Sequence, residues 1–289
     1  METVLAVDIG GTKIAAGVVT SEGSLVRRSL RATPRSADAG AVFDAVTAAM
    51  AEVAAGDEMA VGIGCGGPMT SGGEAVSPLN IEAWRDFPLR RRVAEARSLP
   101  VQIDNDAKAL ALAEGWVGAA SGASDFIAMV VSTGVGGGIV LNGRLLDGAD
   151  GNAGHIGHVI VEPQGRTCAC GARGCLEAEA SGTGIAARTG APASEASLEE
   201  RRRAGCLVGR AVASVANLLD LRLAVVAGSV ALGYGDDFFE AAQQELDRCA
   251  RLDFSAGARI VPGGLADEGP LIGAAAVAWR ALGRDIGVT

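Results

Sequence analysis

Residues 4–19, VLAVDIGGTKIAAGVV, place two short apolar runs on either side of a glycine turn. The first run covers 4–9 and the second covers 14–19. Two apolar runs joined by such a turn predict a β-hairpin. The same arrangement recurs at 126–141, FIAMVVSTGVGGGIVL, where STGVGGG stands between a strand at 126–132 and a returning strand at 138–141. The repeat predicts two related halves that open in the same way.

Strand and helix patterns alternate through the rest of the chain. We predict strands at 61–63, 101–103 and 223–227, and helices at 41–54, 107–116, 204–219 and from 271 to about 282. Such alternation is typical of an α/β protein. A chain of 289 residues exceeds one typical domain, so we expect two domains that share a cleft.

Composition narrows the class of protein. Hydrophobic residues make up 49% and charged residues 20%, and there are 42 glycines, which indicates a folded chain with many tight turns. The net charge of −9 disfavours a nucleic-acid partner, whose phosphates are bound by Lys and Arg. A small molecule fits better. The chain enters an apolar strand at once, without a basic leader, and has no apolar run long enough for a membrane span. We expect a soluble, cytoplasmic protein with reduced thiols.

Residues 154–177, GHIGHVIVEPQGRTCACGARGCLE, hold both histidines of the protein and three of its six cysteines. One imidazole and three thiolates form a complete tetrahedral ligand set for zinc. The alternative is a disulfide, but Cys168 and Cys170 are too close in sequence to pair without strain. The segment therefore predicts a structural zinc bound by Cys168, Cys170, Cys175 and one of His155 and His158.

The two glycine turns are candidates for phosphate binding. In the first turn, Gly10 and Gly11 leave N–H groups uncovered, Thr12 offers a hydroxyl, and Asp8 can hold Mg²⁺ through water. Taken alone, this pattern is more often only a hairpin turn. The second turn has four glycines within five residues, more than a turn needs, and predicts backbone contacts to a polyphosphate.

Two carboxylates outside the turns are candidates for a functional role. Asp106 follows a predicted strand and starts a predicted helix, where either Asn105 or Asp106 can serve as the N-cap. In the same place an ionised carboxylate can accept a hydroxyl proton during phosphoryl transfer. Glu177 is by default a solvated acid, but its position beside Cys175 makes it a candidate ligand.

Together these motifs resemble the ROK family of sugar kinases over essentially the whole chain. The matching motifs are DIGGTK at 8–13, STGVGGG at 132–138, G-H-x-x-V from Gly157 and C-x-C-G-x-x-G-C-x-E from Cys168 to Glu177. The resemblance implies an ATP-dependent hexose kinase of the actin-like, ribonuclease-H-like α/β fold, with Mg²⁺, a structural zinc and an interdomain cleft. It also implies a small domain at 1–108 completed by a C-terminal helix at about 271–289, and a large domain at 109–270 that carries the zinc loop. We expect a homo-oligomer, a dimer or a tetramer.

The resemblance assigns roles residue by residue. It implies that Asp106 is the catalytic base and that His158 both binds zinc and contacts the sugar. The expected substrate ligands are Gly67, Asn105, Asp106, His155, His158 and Glu177. The expected nucleotide ligands are Asp8, Gly10, Gly11, Thr12, Lys13, Thr133, Gly134 and Gly228.

One position departs from the common family pattern. Most members have Glu three residues before the zinc histidine, whereas this chain has His155. Imidazole can donate a hydrogen bond to an acetamido carbonyl, which a carboxylate cannot do. The sequence around it, AGHIGH, resembles the N-acetylmannosamine kinases of the family, so we predict that sugar. Glucose is the alternative.

Two other classes of protein compete with the kinase. A sugar-sensing repressor of the same family carries a helix-turn-helix domain before its DIGGTK-like motif, for which Asp8 leaves no room, and the acidic charge also disfavours DNA binding. A catalytically silent sugar-binding module is the second rival. Retention of Asp106 and of both glycine turns favours the enzyme.

Overall fold

The computed structural model describes all residues, 1–289, and the chain forms two compact units. The first unit consists of Met1–Gly122, Arg144–Ala153 and Asp267–Thr289. The second consists of Ala123–Gly143 and Gly154–Ala266. Each unit is therefore built from separate stretches of sequence. The helix that contains our predicted boundary at 108 lies in the first unit, where it packs against the last helix of the chain.

Ten strands and nine helices follow in chain order. The strands are β1 (Thr3–Ile9), β2 (Lys13–Thr20), β3 (Leu25–Ala32), β4 (Val61–Cys65), β5 (Val101–Asn105), β6 (Phe126–Val131), β7 (Val135–Leu141), β8 (Arg144–Leu145), β9 (Leu223–Ala227) and β10 (Arg259–Pro262). The helices are α1 (Ala39–Val53), α2 (Leu89–Arg97), α3 (Asp106–Trp116), α4 (Leu176–Ala180), α5 (Gly182–Thr189), α6 (Leu198–Leu219), α7 (Ser229–Tyr234), α8 (Asp236–Cys249) and α9 (Gly269–Ala281). No helix is long and apolar enough to cross a membrane.

The first sheet has the strand order β3-β2-β1-β4-β5. Strands β1 and β2 form the predicted antiparallel hairpin, with Ile9 opposite Ile14, and β4 and β5 add in parallel on the other side of β1. Helix α9 packs on β1 and β4 and also against α3. The carboxyl ends of β1, β4 and β5 therefore meet at one edge of this sheet, where Asp8, Cys65 and Asn105 lie.

The second sheet repeats this topology with the order β10-β9-β6-β7-β8. Strands β6 and β7 form an antiparallel hairpin, and β9 and β10 add in parallel on the other side of β6. Both sheets thus contain an antiparallel hairpin followed by two parallel strands. This confirms the predicted α/β class and the predicted internal repeat.

The glycine-rich stretch of the second hairpin differs from our prediction in one respect. Strand β7 begins at Val135, so three of the glycines assigned to the turn lie in the strand. A Cβ at Gly137 would come within 3.0 Å of Ile156 and 3.2 Å of the Gly154 carbonyl oxygen, so glycine here allows the zinc segment to pack directly on the strand. Only Ser132 to Gly134 form the turn itself.

Candidate zinc cluster and active-site residues

In the zinc segment, the ligand atoms of His158, Cys168, Cys170 and Cys175 all lie within 4.8 Å of one another. The Sγ atoms of Cys170 and Cys175 are 3.7 Å apart, and Cys168 Sγ is 3.8 Å from His158 Nδ1. Zn–S bonds of about 2.3 Å in a tetrahedron place two sulfurs roughly 3.8 Å apart. All six cysteines are free, so no disulfide competes for these sulfurs. The four residues fit one zinc ion.

The acidity of these thiols also fits a cation site. Burial, together with hydrogen bonds to the thiols of Cys170 and Cys168, raises the pKa of Cys175 to about 12. A backbone hydrogen bond at Ala172 lowers the pKa of Cys170. Without a cation, Cys175 therefore stays a thiol at neutral pH, whereas a bound zinc ion deprotonates a coordinating thiol outright.

The orientation of His158 leaves one ring nitrogen for other contacts. Its Nδ1 faces Cys168, and the ring of His155 lies nearly parallel to it with centroids 6.2 Å apart. When one nitrogen of a neutral imidazole binds a metal, the other carries the proton and can donate a hydrogen bond. Nε2 of His158 is thus the donor available to a ligand. His155 is exposed and is not part of the metal ligand set.

The loop around the cluster is held by short-range pairing. Isolated antiparallel β-bridges pair Ile160 with Cys175 and Thr167 with Arg173. Gly174 has φ = 76°, and a Cβ there would lie 1.7 Å from the Glu162 carbonyl oxygen, so no other residue fits between the last two cysteine ligands. Outside the loop, the buried Glu179 accepts the Arg166 N–H at 2.6 Å and pairs with Arg203.

Glu177 connects the zinc segment to the second glycine turn. Its Oε2 accepts the N–H of Val135 at 2.9 Å, although the two residues are 42 positions apart. One carboxylate oxygen is thereby committed to the backbone of β7. Since a carboxylate has two oxygens with several acceptor sites, Oε1 remains able to accept a ligand hydroxyl.

At the start of α3, Asn105 and Asp106 take different positions. Asn105 is the N-cap, and its Oδ1 accepts the N–H groups of Ala107 at 3.0 Å and Lys108 at 3.3 Å. Asp106 is the first residue of the helix, and its Oδ1 accepts its neighbour's N–H at 2.8 Å. The sequence left the cap open between the two residues, and the structure assigns it to Asn105. Only the Nδ2 group of Asn105 is then left for a ligand.

Asp8 and Asp106 lie at the same edge of the first sheet. A Cβ added to Gly64 between them would be 3.6 Å from Asp8 Oδ1 and 3.5 Å from Asp106 Cα. Burial and the charge of Asp106 raise the pKa of Asp8 to about 7, although Lys13 opposes the shift. A carboxylate held at such a pKa favours a nearby cation.

The first glycine turn is partly a structural turn. Gly10 donates its N–H to the Lys13 carbonyl at 2.9 Å, and its own carbonyl accepts the Thr33 hydroxyl at 2.7 Å. The N–H groups of Gly11 and Thr12 make no such bond. Two of the predicted phosphate donors are therefore still available, while Gly10 closes the hairpin.

Two further predicted residues lie in loops that follow parallel strands. Gly67 comes after β4, and its carbonyl accepts the Leu79 N–H at 3.3 Å. Gly228 comes after β9, where φ = 100° and its carbonyl accepts the Leu232 N–H. Ligands of α/β sheets bind at the carboxyl ends of such strands.

The second unit contains a cavity of about 450 Å³ beside its glycine turn. Six residues that line it are Ser132, Thr133, Thr183, Arg201, Ser229 and Tyr234. The hydroxyl oxygens of Ser132 and Ser229 are 2.9 Å apart, and Thr183 donates to the Thr133 carbonyl at 2.8 Å. Arg201 lies over the Tyr234 ring at 5.6 Å. A volume of this size suits a small organic ligand such as a nucleoside.

Of these lining residues, the sequence predicted only Thr133. Ser132 precedes it in the same glycine turn, whereas the other four lie on α5, α6 and α7, and residues that are distant along the chain carry no common motif. The turn Gly228-Ser229 after β9 was the available signal for Ser229, because it repeats the strand-to-turn pattern of the other half.

Comparison with known proteins agrees with the fold. The sequence profile of the ROK family matches residues 4–281. The N-acetylmannosamine kinase of Yersinia pseudotuberculosis is 40% identical over 250 residues, which are 80% of this chain and 84% of that one. A ROK family glucokinase from Streptomyces griseus, solved with glucose and AMPPNP, is 33% identical with a TM-score of 0.84 over 94% of this chain and 98% of its own. The ROK hexokinase of Thermus thermophilus is also 33% identical, with a TM-score of 0.82 over 98% and 100%.

Fold and sequence similarity together define a sugar kinase of the actin-like class. The chain belongs to the ROK family.

Proposed function

We propose that the protein transfers the γ-phosphoryl group of MgATP to the 6-hydroxyl of N-acetylmannosamine. The carrying observation is His155 beside His158, which is itself one of the four residues of the cluster, in a chain 40% identical to an N-acetylmannosamine kinase. Family membership supports the class, an ATP-dependent sugar kinase, and the two histidines support the choice of sugar.

In this proposal Asp106 is the general base. Asp106 is the first residue of α3, at the positive end of the helix, where its carboxylate can accept the hydroxyl proton as the phosphoryl group arrives. Asn105 Nδ2, His158 Nε2, Glu177 Oε1 and the backbone at Gly67 orient the sugar hydroxyls. Since phosphoryl transfer depends mostly on position and charge, this orientation accounts for a large share of the rate.

His155 selects the substituent at C2 of the sugar. An imidazole N–H can donate to the acetamido carbonyl, whereas the Glu common in the family offers that carbonyl only a second acceptor. His155 therefore favours an N-acetylated sugar.

The nucleotide lies along the two glycine turns and in the 450 Å³ cavity. The N–H groups of Gly11 and Thr12, with Lys13, Thr133 and Gly134, bind the phosphates, and the turn at Gly228 borders the nucleoside. Asp8 would hold Mg²⁺ through water, and the ion would neutralise the charge of the phosphates. The cluster of His158, Cys168, Cys170 and Cys175 would hold a structural zinc that orders the loop and takes no part in the transfer.

Glucose is the second candidate substrate. The observation in its favour is the likeness of the whole chain to the Streptomyces griseus glucokinase, with a TM-score of 0.84. The zinc cluster and Asp106 serve either sugar equally, so His155 is the residue that separates the two proposals.

A coupled assay of ADP release tests the proposal with N-acetylmannosamine, N-acetylglucosamine, glucose and mannose as acceptors. We expect the highest kcat/KM for N-acetylmannosamine, with the phosphate on the 6-hydroxyl by ³¹P NMR of the product. A higher kcat/KM for glucose supports the glucokinase instead. No sugar-dependent release of ADP with any of the four acceptors contradicts both.

A further inference from the structure

Lys108 is a buried ammonium group two residues after Asp106. It is 2% exposed, and its Nζ lies 3.0 Å from Asp104 Oδ1, 2.6 Å from Asp147 Oδ1 and 3.2 Å from the Gly151 carbonyl oxygen. A Lys ammonium has three N–H donors, and here it makes hydrogen bonds to Asp147 and Gly151 and an ion pair with Asp104. None of the roles described above uses this group.

Asp104 transmits the contact to the residues at the start of α3. The oxygen that faces Lys108 also accepts the Asn105 N–H at 2.8 Å, and the other oxygen lies 4.0 Å from Arg280. The Asp104 side chain is only 11% exposed. Lys108 therefore fixes, through Asp104, the backbone immediately before Asp106.

The other two acceptors belong to the segment 147–151. The side chain of Asp147 is 59% exposed, so without Lys108 little else would hold it in place. Ala153 donates its N–H to the Asp147 carbonyl at 2.9 Å, which closes the segment into a compact turn. Along the chain this turn leads directly to His155. One ammonium group thus joins the turn at Asp106 to the segment from which His155 continues.

Stability alone does not account for a buried charge network of this kind. A buried ion pair contributes little net stability, since the cost of desolvating both charges offsets their attraction, and an apolar pair of similar volume often does as well. What the network adds is a defined geometry that an apolar contact does not impose.

We propose that Lys108 is a positioning residue for the sugar: it holds Asn105 and Asp106 in fixed register with the segment 147–151 that leads to His155. The inference rests on the proposed function, because the sugar is the ligand that these residues would contact. Lys108 acts through Asp104 and the 147–151 segment and touches no substrate itself.

Three variants separate positioning from stability. Lys108→Met keeps the length of the side chain but leaves Asp104 without its partner, so both stability and sugar turnover fall. Asp104→Asn/Lys108→Met removes both charges and keeps an acceptor for the Asn105 N–H, so stability recovers while the link to 147–151 stays broken. Asp147→Ala removes only the ion pair between Lys108 and the exposed Asp147 and leaves Asp104 paired. Glu245→Gln is the matched control, since it disrupts a buried carboxylate paired with Arg210 and Arg248 in the second unit.

Sugar kcat/KM should fall on the order of tenfold to a hundredfold in all three variants, with the KM for ATP within about twofold of wild type. Glu245→Gln should lower the melting temperature without this change in sugar kinetics. Recovery of sugar kcat/KM together with stability in the double variant overturns the proposal, as does an Asp147→Ala enzyme with wild-type sugar kinetics.

Amide hydrogen exchange, measured without substrate, tests the positioning role of Lys108 independently of kinase activity. Amide protection at 105–108 and 147–153, measured without any substrate, should decrease in Lys108→Met and Asp147→Ala but not in Glu245→Gln. Unchanged protection in Lys108→Met overturns the positioning role even if wild type is an active kinase. Reduced protection supports it even if the wild type phosphorylates none of the sugars tested.

Discussion

Two adjacent polar residues at the start of α3 show how much one position decides. The side-chain oxygen of Asn105 accepts two helical N–H groups, which stabilises the helix. Its Nδ2 group remains available as a donor to a ligand. Asp106 lies one residue further, inside the first turn, and does not cap the helix. The residue that caps and the residue proposed as base are thus distinct, although either type of side chain suits either task.

Asp106→Asn should therefore reduce turnover without damaging the helix. The amide keeps the shape but cannot take a proton, so kcat should fall on the order of a hundredfold or more while sugar binding largely survives. Steady-state kinetics and a sugar-dependent thermal shift measure the two effects separately. The matched control is Asp38→Asn, the same substitution at the N-cap of α1. An Asp106→Asn enzyme within a few-fold of wild type assigns the base to another residue.

His155→Glu should change the choice of sugar. Loss of the donor to the acetamido group lowers kcat/KM for N-acetylmannosamine, and we expect the preference to shift towards glucose by roughly 1–3 kcal/mol. The experiment compares both sugars on both enzymes. An unchanged ratio of the two kcat/KM values removes His155 as the selector.

At the scale of elements, the zinc loop is a short segment with little regular secondary structure. Its two β-bridges and the tight turn at Gly174 bring the ligands together, and of the four ligands only Cys175 borders an α-helix, α4. A metal ion in such a loop supplies much of the free energy that orders it, because metal binding and local folding are coupled.

Cys168→Ala removes one thiolate from the cluster. Zinc content should fall well below one equivalent per chain, and kinase activity should fall with it, because His158 loses its fixed orientation. Elemental analysis and the ADP-release assay measure both quantities. Cys206→Ala, a cysteine outside the cluster, should retain zinc and activity. Undiminished zinc in Cys168→Ala contradicts the ligand assignment.

Some strands and helices could be predicted from the sequence, and others lack the apolar pattern that a prediction needs. The two hairpins and β9 are apolar runs that end at glycine turns, so their pattern is strong. Strand β3 reads LVRRSLRA and is mostly exposed at the edge of its sheet, so it lacks the apolar alternation that identifies a strand. Helix α6 starts at Leu198, six residues before our prediction, because Ser197 caps a charged first turn that carries no apolar signal.

The residues of the candidate site also divide into those that a local motif predicts and those that only the fold brings together. Local motifs predicted a zinc cluster, Asp106 and the glycine turns, since each of these is encoded within a few residues, and the family resemblance chose His158 over His155. The bond from Glu177 to Val135 and the link from Lys108 to Asp147 join residues that are 42 and 39 positions apart. Contacts of this kind depend on how strands and helices are arranged in space, which the local sequence does not contain.

For the whole molecule, Asp8 couples stability to pH. Its pKa is about 7 in the folded state against 3.8 as the ordinary value, so the native state binds more protons than the unfolded state between these limits. The contribution of Asp8 to the unfolding free energy must therefore decrease as pH rises from about 4 to 7 and level off above that range. Asp8→Asn removes this contribution.

Urea unfolding of both proteins at pH 5 and pH 8, without Mg²⁺, measures the effect. Relative to wild type, Asp8→Asn should be about 1–3 kcal/mol more stable at pH 8 than at pH 5. The difference between the two proteins cancels the titration of the histidines and thiols that both share. A difference that does not change with pH contradicts the raised pKa.

Helix α9 completes the unit that β1 begins, and this has a consequence for biosynthesis. Leu271 and Trp279 are buried in the first unit, yet the ribosome makes them only after the second unit has been translated. Translation proceeds at about 5–20 residues per second, so the apolar faces of β1 and β4 stay exposed for on the order of ten seconds before α9 can pack on them. During that interval the nascent chain exposes the apolar face of an incomplete sheet, which can aggregate. The first unit is thus the last to mature, and a chaperone that shields it during translation should raise the yield of active protein.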